Sequence, residues 1–98
     1  MATAYKIINN EQLMHFEIHE GDEIAFLEYR FYKKNIALMH TFVPEDLRGN
    51  GLASALAAYA FKYARDHKKP VMVYCPFVSS YIKRHPELRE HLDKEYHH

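Results

Sequence analysis

Apolar and polar residues alternate along the first half of the chain with the period of two that is typical of β-strands. In the segment at residues 14–19, one side is apolar and the other is polar. A second segment, residues 24–32, repeats the alternation after the turn residues Glu20-Gly21-Asp22. The two segments therefore predict a β-hairpin. A shorter strand is predicted at residues 5–8, with Asn9-Asn10 as its turn.

A third long strand is predicted at residues 36–43, after a tight turn at residues 33–35. It is apolar on both sides except at His40 and Thr41, which is typical of a strand in the interior of a sheet. By strict alternation, His40 shares a face with the apolar Leu38 and Phe42. Pro44 ends the strand because proline has no N–H to donate to the ladder.

The hydrophobic period changes from two to between three and four at Leu52, which predicts a long helix. A basic cluster at residues 65–69 suits the negative end of its dipole, and Pro70 follows. After it we predict a strand at residues 71–74, a short helix at residues 76–85 and a charged terminal helix at residues 87–95. The apolar residues expected to face the core are Phe77, Tyr81 and Ile82 in the short helix, and Leu88 and Leu92 in the terminal one.

This order of elements predicts an α+β fold. It would be a mixed, mostly antiparallel sheet with one long helix after the central strand and one or two short C-terminal helices. The strands before and after the long helix would run parallel, joined by a right-handed crossover. A chain of 98 residues has room for one hydrophobic core, so we expect a single domain over residues 1–98. His97 and His98 are interpreted as the remnant of a purification tag.

The charge and the cysteine content narrow the class of protein. The formal net charge is zero, which argues against a dedicated nucleic-acid binder. The two halves of the chain differ in charge: residues 1–47 hold 4 basic and 8 acidic groups, and residues 48–98 hold 9 basic and 5 acidic groups. One cysteine, no signal-peptide pattern and no long apolar run lead us to expect a cytoplasmic protein that does not enter a membrane.

The most informative stretch is Arg48-Gly49-Asn50-Gly51-Leu52-Ala53, which lies between a strand and the long helix. The N-terminus of a helix has free backbone N–H groups and the positive end of the dipole, and glycines allow a phosphate to approach them. On their own, two glycines are also compatible with a plain turn and helix cap. No Lys-Ser or Lys-Thr pair follows them, so the stretch is not a Walker phosphate loop.

In its context, this stretch resembles the acetyl-coenzyme A signature of the GNAT superfamily of N-acetyltransferases. That pattern is Gln or Arg, two residues, Gly, one residue, then Gly or Ala, and here Arg48, Gly51 and Ala53 match it. The segments at residues 40–44 and 74–87 are also similar to a small single-domain branch of the superfamily. The resemblance covers about residues 12–90 and implies a minimal GNAT-like fold.

The resemblance implies that acetyl-coenzyme A is the acetyl donor. The backbone of Phe42 and Val43 would pair with the pantetheine arm, and the loop would hold the pyrophosphate. In the superfamily the two parallel strands splay apart to admit this arm. The residues that would bind the cofactor are Phe42, Val43, Arg48, Gly49, Asn50, Gly51, Leu52 and Ala53.

Three residues are candidates for the chemistry. The resemblance places Tyr81 where a tyrosine hydroxyl protonates the departing coenzyme A sulfur, although its ring is equally compatible with a core position. Cys75 ends the second parallel strand and is either a nucleophile that accepts the acetyl group or a small buried apolar residue. His40 is either a structural residue or the base for the incoming ammonium. The direct and the acetyl-cysteine routes both stay open.

We therefore expect an acetyltransferase acting on an amine, and an exposed protein or peptide lysine fits the short connections between the first strands. The alternatives are a coenzyme A or acyl-coenzyme A binding or regulatory module without turnover, and an α+β protein in which the glycines only cap a helix. No metal site is predicted, because His15 and His19 have neither cysteine nor a third ligand nearby in sequence.

Overall fold

The computed structural model describes residues 5–94, in which the alternating half of the chain forms four strands and the second half forms helices around a fifth. Two short 3-10 helices lie at Glu45–Leu47 and Pro86–His91. The other elements are β1 (Ile8–Asn10), β2 (His15–Glu20), β3 (Glu23–Tyr32), β4 (Asn35–Phe42), α1 (Leu52–Asp66), β5 (Val71–Val73) and α2 (Pro76–Arg84).

The strands form one mixed sheet in the order β1-β2-β3-β4-β5. The first four are antiparallel to their neighbours, and β5 runs parallel to β4 after the crossover through α1. The predicted α+β architecture, with one long helix and short C-terminal helices, is confirmed. None of the helices within residues 5–94 is long and apolar enough to cross a membrane.

The core lies between one face of the sheet and the helices. Its residues from β2 to β5 alternate along each strand, and the apolar stripe of α1 packs against them. The contribution of α2 differs from the prediction, because its fully buried residues are Val78 and Ile82. Phe77 and Tyr81 are only half-buried at the edge of the core. The other fully buried residues of largest size are Phe16, Ile18, Leu27, Tyr29, Ile36, Leu38, Leu56, Phe61, Val71 and Val73.

Two predicted elements are wrong in detail. The first strand is Ile8–Asn10, so Asn9 and Asn10 lie in the strand and not in a turn after it. Their side chains bind the sheet: the hydroxyl of Tyr29 donates to Oδ1 of Asn9 at 2.7 Å, and Nδ2 of Asn10 donates to Glu17 at 3.1 Å. Asn10 also accepts a hydrogen bond from the N–H of Leu13 at 3.2 Å, so it ends the strand and begins the turn at residues 11–14.

The predicted terminal α-helix at residues 87–95 is instead the 3-10 helix Pro86–His91, which ends before Leu92. Residue 95 lies outside the described residues. Leu88 and Leu92 do pack against the core as expected. Leu92 also forms a parallel bridge with Val71 at the edge of the sheet, so pairing with β5 pulls this segment out of helical geometry.

One residue of β4 has no partner in the ladder with β3. Glu28 lies opposite His40, but the next residue of β3, Tyr29, lies opposite Leu38. Met39 is therefore an extra residue on β4, the arrangement of a β-bulge. A bulge reverses the facing of the residues that follow it, because the side-chain period of a strand is two.

The bulge decides which residues of β4 face the core. Thr41 lies opposite the buried Leu27 and shares its face, whereas Phe42 lies opposite Phe26 on the other face. His40 also lies on that outer face, 6.2 Å from the ring of Phe26. The prediction that His40 shares a face with Leu38 is therefore wrong, since strict alternation does not hold across the bulge.

The parallel strands β4 and β5 stay paired for only three residues. Ile36–Leu38 pairs with Val71–Val73, and the N–H groups of Tyr74 and Cys75 then both donate to the carbonyl of Leu38, at 2.9 and 3.1 Å. β4 continues to Phe42, and no further backbone pair joins the two strands within the described chain. The strands therefore separate beyond Leu38 and leave a gap at their carboxyl ends.

Candidate functional site

A groove of about 510 Å³ lies at the carboxyl end of β4, where it has separated from β5. One wall is the end of β4 and the other is the first turn of α1, with the glycine loop between them and Phe77 of α2 at the side. All the predicted cofactor residues except Asn50 line it: Phe42, Val43, Arg48, Gly49, Gly51, Leu52 and Ala53.

The loop before α1 depends on its two glycines. Gly49 and Gly51 have φ values of +86° and +79°, in the left-handed region that residues with a Cβ adopt only with strain. Gly51 is also the residue that caps α1. In this conformation the chain turns from the end of the 3-10 helix Glu45–Leu47 into α1 within a few residues, and its backbone stays close to the groove.

The N-terminus of α1 presents backbone donors to the groove. The N–H of Ala55 is the first to bond within the helix, to the carbonyl of Gly51 at 3.0 Å. The N–H groups of residues 52–54 thus have no intrahelical acceptor, and no side chain among the described residues caps them. With the positive end of the helix dipole, they form a site suited to an anion such as a phosphate.

The side chains of Arg48 and Asn50 stabilise the loop through hydrogen bonds to nearby backbone carbonyls. Nε of Arg48 donates to the carbonyl of Val43 at 3.2 Å, which places an exposed positive charge beside the end of β4. Nδ2 of Asn50 donates to the carbonyl of Leu47 at 3.1 Å. The side chain of Asn50 therefore braces the loop from outside the groove, which is a different placement from that of its neighbours.

Two acidic residues close to each other, Glu23 of β3 and Asp46 of the 3-10 helix, lie near the start of the loop in the chain or in space. The pKa of Glu23 is raised, first by desolvation and then by the charge of Asp46 and a hydrogen bond with it, which places the two carboxyl groups together. The basic Arg48 and the N-terminus of α1 lie on the groove side. The two signs of charge found in the two halves of the sequence thus meet at this end of the sheet.

Cys75 lies beneath the groove. It follows β5 and caps α2, it is 2% exposed, and it is not among the residues that line the groove within the described chain. Its Sγ lies 3.1 Å from Oγ1 of Thr41, which does line the groove. The bulge at Met39 makes this contact possible, because it turns Thr41 toward the core side of β4.

Tyr81 is one helical turn beyond Phe77 on α2, with its ring between those of Phe77 and His85. Burial raises the pKa of its phenol, the charge of Glu87 adds to this, and Arg84 partly opposes it. The phenol therefore keeps its proton at neutral pH. Of the described residues, Phe77 is the one that brings α2 to the groove, and Tyr81 does not line it.

His40 lines the groove from the outer face of β4 and is exposed. Its ring is close to Phe26, and its backbone lies opposite Glu28, whose carboxylate is paired with Arg30 at 2.6 Å. The histidine is thus accessible from solvent at the rim of the groove. The apolar neighbours that strict alternation predicted for it on β4 are reduced to Phe42, because the bulge places Leu38 on the other face.

A second polar cluster lies on the outer face of β2. The nearly buried carboxylate of Glu17 is 2.8 Å from Nε2 of His19 and 3.4 Å from Nδ1 of His15, and it accepts a hydrogen bond from Asn10. Both carboxylate oxygens are therefore engaged within the protein. Within residues 5–94, no group of three or more His, Cys, Asp or Glu side chains is arranged so that it could hold a metal ion.

Several groove residues have no distinctive signal in the sequence. Thr41 depends on a bulge that alternation cannot reveal, and Phe77 depends on how α2 packs. Ser54 is the residue of this group that the sequence indicates most readily, because it lies in the first turn of the predicted helix and directly follows the glycine loop. Tyr5 also reaches the loop, through a hydrogen bond from its hydroxyl to the carbonyl of Asn50 at 2.6 Å.

Together, the diverging parallel strands, the glycine loop and the helix end with open N–H groups define an α+β protein with the GNAT fold. The chain belongs to the GCN5-related N-acetyltransferase family, whose model matches residues 15–92. This confirms the resemblance noted from the sequence and supports acetyltransferase chemistry in general.

Curated relatives agree with this family. The chain is 32% identical over 71 residues to Protein NATD1 of Xenopus tropicalis, 34% identical over 71 residues to that of Gallus gallus, and 32% identical over 71 residues to that of Homo sapiens. These alignments cover 71%, 69% and 71% of this chain. They cover 64%, 64% and 62% of the relatives, so the chain spans slightly less than two thirds of their length.

The burial of Cys75 predicts a protected thiol. Iodoacetamide should alkylate Cys75 in the native protein at least about 100-fold more slowly than in the denatured chain, because the sulfur must be exposed to react. Mass spectrometry of timed samples measures both rates. Comparable rates in the two states would show that Cys75 is open to the groove and would contradict its placement here.

Proposed function

We propose that the chain binds acetyl-coenzyme A in the groove and transfers the acetyl group to an amine. The observation that carries this proposal is that the end of β4, the glycine loop, the first turn of α1 and Phe77 of α2 line one groove, at the end of a helix whose first N–H groups are open. A polyanion with a long neutral arm matches that shape and charge. The family assignment supports the same ligand.

The pyrophosphate would bind the N–H groups of Gly51 and of residues 52–54, with Arg48 as the nearest fixed positive charge. The pantetheine arm would lie in the gap between β4 and β5 and pair with the backbone of Phe42 and Val43. The carbonyl of Val43 already accepts a hydrogen bond from Nε of Arg48, and its second lone pair could accept another from an amide of the arm.

Acetyl transfer then needs a neutral amine that attacks the thioester carbonyl. The new C–N bond forms, the C–S bond breaks, the thiolate takes a proton from its donor, and the proton that the nitrogen releases as the amide forms restores that donor. Tyr81 is the proposed donor of that proton, because its raised pKa keeps the phenol protonated. His40, exposed at the rim, is the proposed base that removes the proton from the incoming ammonium.

The burial of Cys75 favours direct transfer over an acetyl-cysteine intermediate, since an attacking thiolate must reach the thioester. In this scheme Cys75 holds Thr41 at the base of the groove. The proposed acceptor is an exposed protein or peptide lysine, because the first strands are joined by tight turns and build no enclosed pocket around His40.

One alternative is supported by a specific observation. Neither Tyr81 nor Cys75 lines the groove within the described chain, which is also what a coenzyme A binding module without turnover would show. The two functions share the binding step and differ in the rate of acetyl transfer. They are therefore separated by an activity measurement made on a protein already shown to bind the cofactor.

Calorimetric titration with coenzyme A tests the binding step. The wild type should bind, and Gly51→Ala should weaken binding by about tenfold because a Cβ at this left-handed position forces the loop to move. Gly21→Ala is the matched control: Gly21 also has a positive φ and free space around a Cβ, but it lies in the turn between β2 and β3.

The Gly21 variant should lose about 1 kcal/mol of stability, as the Gly51 variant does, and keep the affinity of the wild type. If the wild-type protein releases no heat and shows no shifted amide signals with coenzyme A, the proposed function is refuted. Equal weakening in both variants would show that the effect comes from stability alone.

Replacing Tyr81 by Phe tests turnover. The ring stays in place and the proton donor is lost, so kcat for acetylation of a lysine peptide should fall by about 100-fold or more while coenzyme A affinity is kept. Because the pKa is raised, the wild type should keep this donor up to about pH 10 and lose it only at higher pH. Unchanged kcat in Tyr81→Phe would exclude this role, and no turnover in the wild type would favour the binding module.

A further inference from the structure

The N-terminal segment contacts the glycine loop outside the groove. The hydroxyl of Tyr5 donates to the carbonyl oxygen of Asn50 at 2.6 Å, across 45 positions of sequence. Tyr5 and Ile7 also pack against the core as partly buried residues. Together with Ser54, Ala55 and Ala58 of α1 they line a separate depression, which shares only Gly51 and Ser54 with the groove.

This hydrogen bond fixes the orientation of one peptide group. The bond between Asn50 and Gly51 is trans and planar, so its C=O and N–H point in opposite directions. Tyr5 holds the oxygen on the side of the N-terminal segment. The N–H of Gly51 consequently points away from Tyr5, and Gly51 itself borders both the groove and the depression beside Tyr5.

Without such an anchor, this peptide group has several accessible orientations. Its two flanking torsion angles are ψ of Asn50 and φ of Gly51, and glycine allows the second of these to change at little cost. The side chain of Asn50 fixes one end of the loop through Leu47, and its carbonyl is fixed by Tyr5. Tyr5 is the described residue that reaches this carbonyl from outside the loop.

We propose that Tyr5 is a positioning residue for the cofactor loop: its hydroxyl holds the Asn50–Gly51 peptide so that the Gly51 N–H faces the pyrophosphate of coenzyme A. The proposal rests on the proposed function, because it assigns this loop to the diphosphate. It extends the site to a segment that precedes β1. Tyr5 does not touch the ligand and acts through the loop.

The test is Tyr5→Phe, which keeps the ring and removes the hydrogen bond. Coenzyme A should bind about 3- to 10-fold more weakly by calorimetry, the range expected for one lost hydrogen bond. Pantetheine, which has the arm but no diphosphate, should bind with unchanged affinity in an NMR titration. Tyr32→Phe is the matched control, because Tyr32 is an exposed tyrosine at the end of β3, and it should affect neither ligand.

Equal coenzyme A affinity in Tyr5→Phe and the wild type would overturn the proposal. Equal weakening of coenzyme A and pantetheine would overturn it as well, because Tyr5 would then support the fold and not the diphosphate loop. A wild-type protein that binds no coenzyme A at all would instead remove the proposed function, and this inference with it. The wild-type titration therefore distinguishes the two failures.

Discussion

The early end of the ladder between β4 and β5 is the constraint on which the rest of the site depends. Two N–H groups, from Tyr74 and Cys75, donate to the single carbonyl of Leu38, and the strands then diverge. A parallel pair that continued to Phe42 would fill the space where the groove now lies. The first half of β4, which pairs with β5, is buried, and the second half, beyond the separation, is largely exposed.

The bulge at Met39 works together with this separation. It places Thr41 over Cys75, so that one side-chain contact still joins the two strands after their backbones have parted. It also turns His40 and Phe42 to the outer face, where they border the groove and remain exposed. The one extra residue therefore places Thr41 at the base of the groove and leaves exposed side chains at its rim.

The groove is completed by a loop that is flexible by composition and held by its neighbours. Gly49 and Gly51 permit the turn into α1, while the side chains of Arg48 and Asn50 and the hydroxyl of Tyr5 each bind a carbonyl of the loop or of the chain just before it. Backbone N–H groups are left to face the groove. This division of roles fits a family whose members share acetyltransferase chemistry.

Features that depend on local sequence were predictable. The start of α1 at Leu52 follows from the change of hydrophobic period, and the glycine loop follows from its composition and its place between strand and helix. The face of His40 was not predictable, because nothing in the sequence around Met39 marks a bulge. The contact of Tyr5 with Asn50, and the participation of Asn9 in β1, depend on partners far away in the chain.

We infer that the gap between β4 and β5 receives the cofactor arm, and a crystal structure of the protein with coenzyme A is the decisive test. The pantetheine arm is expected beside residues 40–43 in that gap, with the diphosphate at the N-terminus of α1. Coenzyme A bound elsewhere, or β4 and β5 paired beyond Leu38 in the complex, would contradict it.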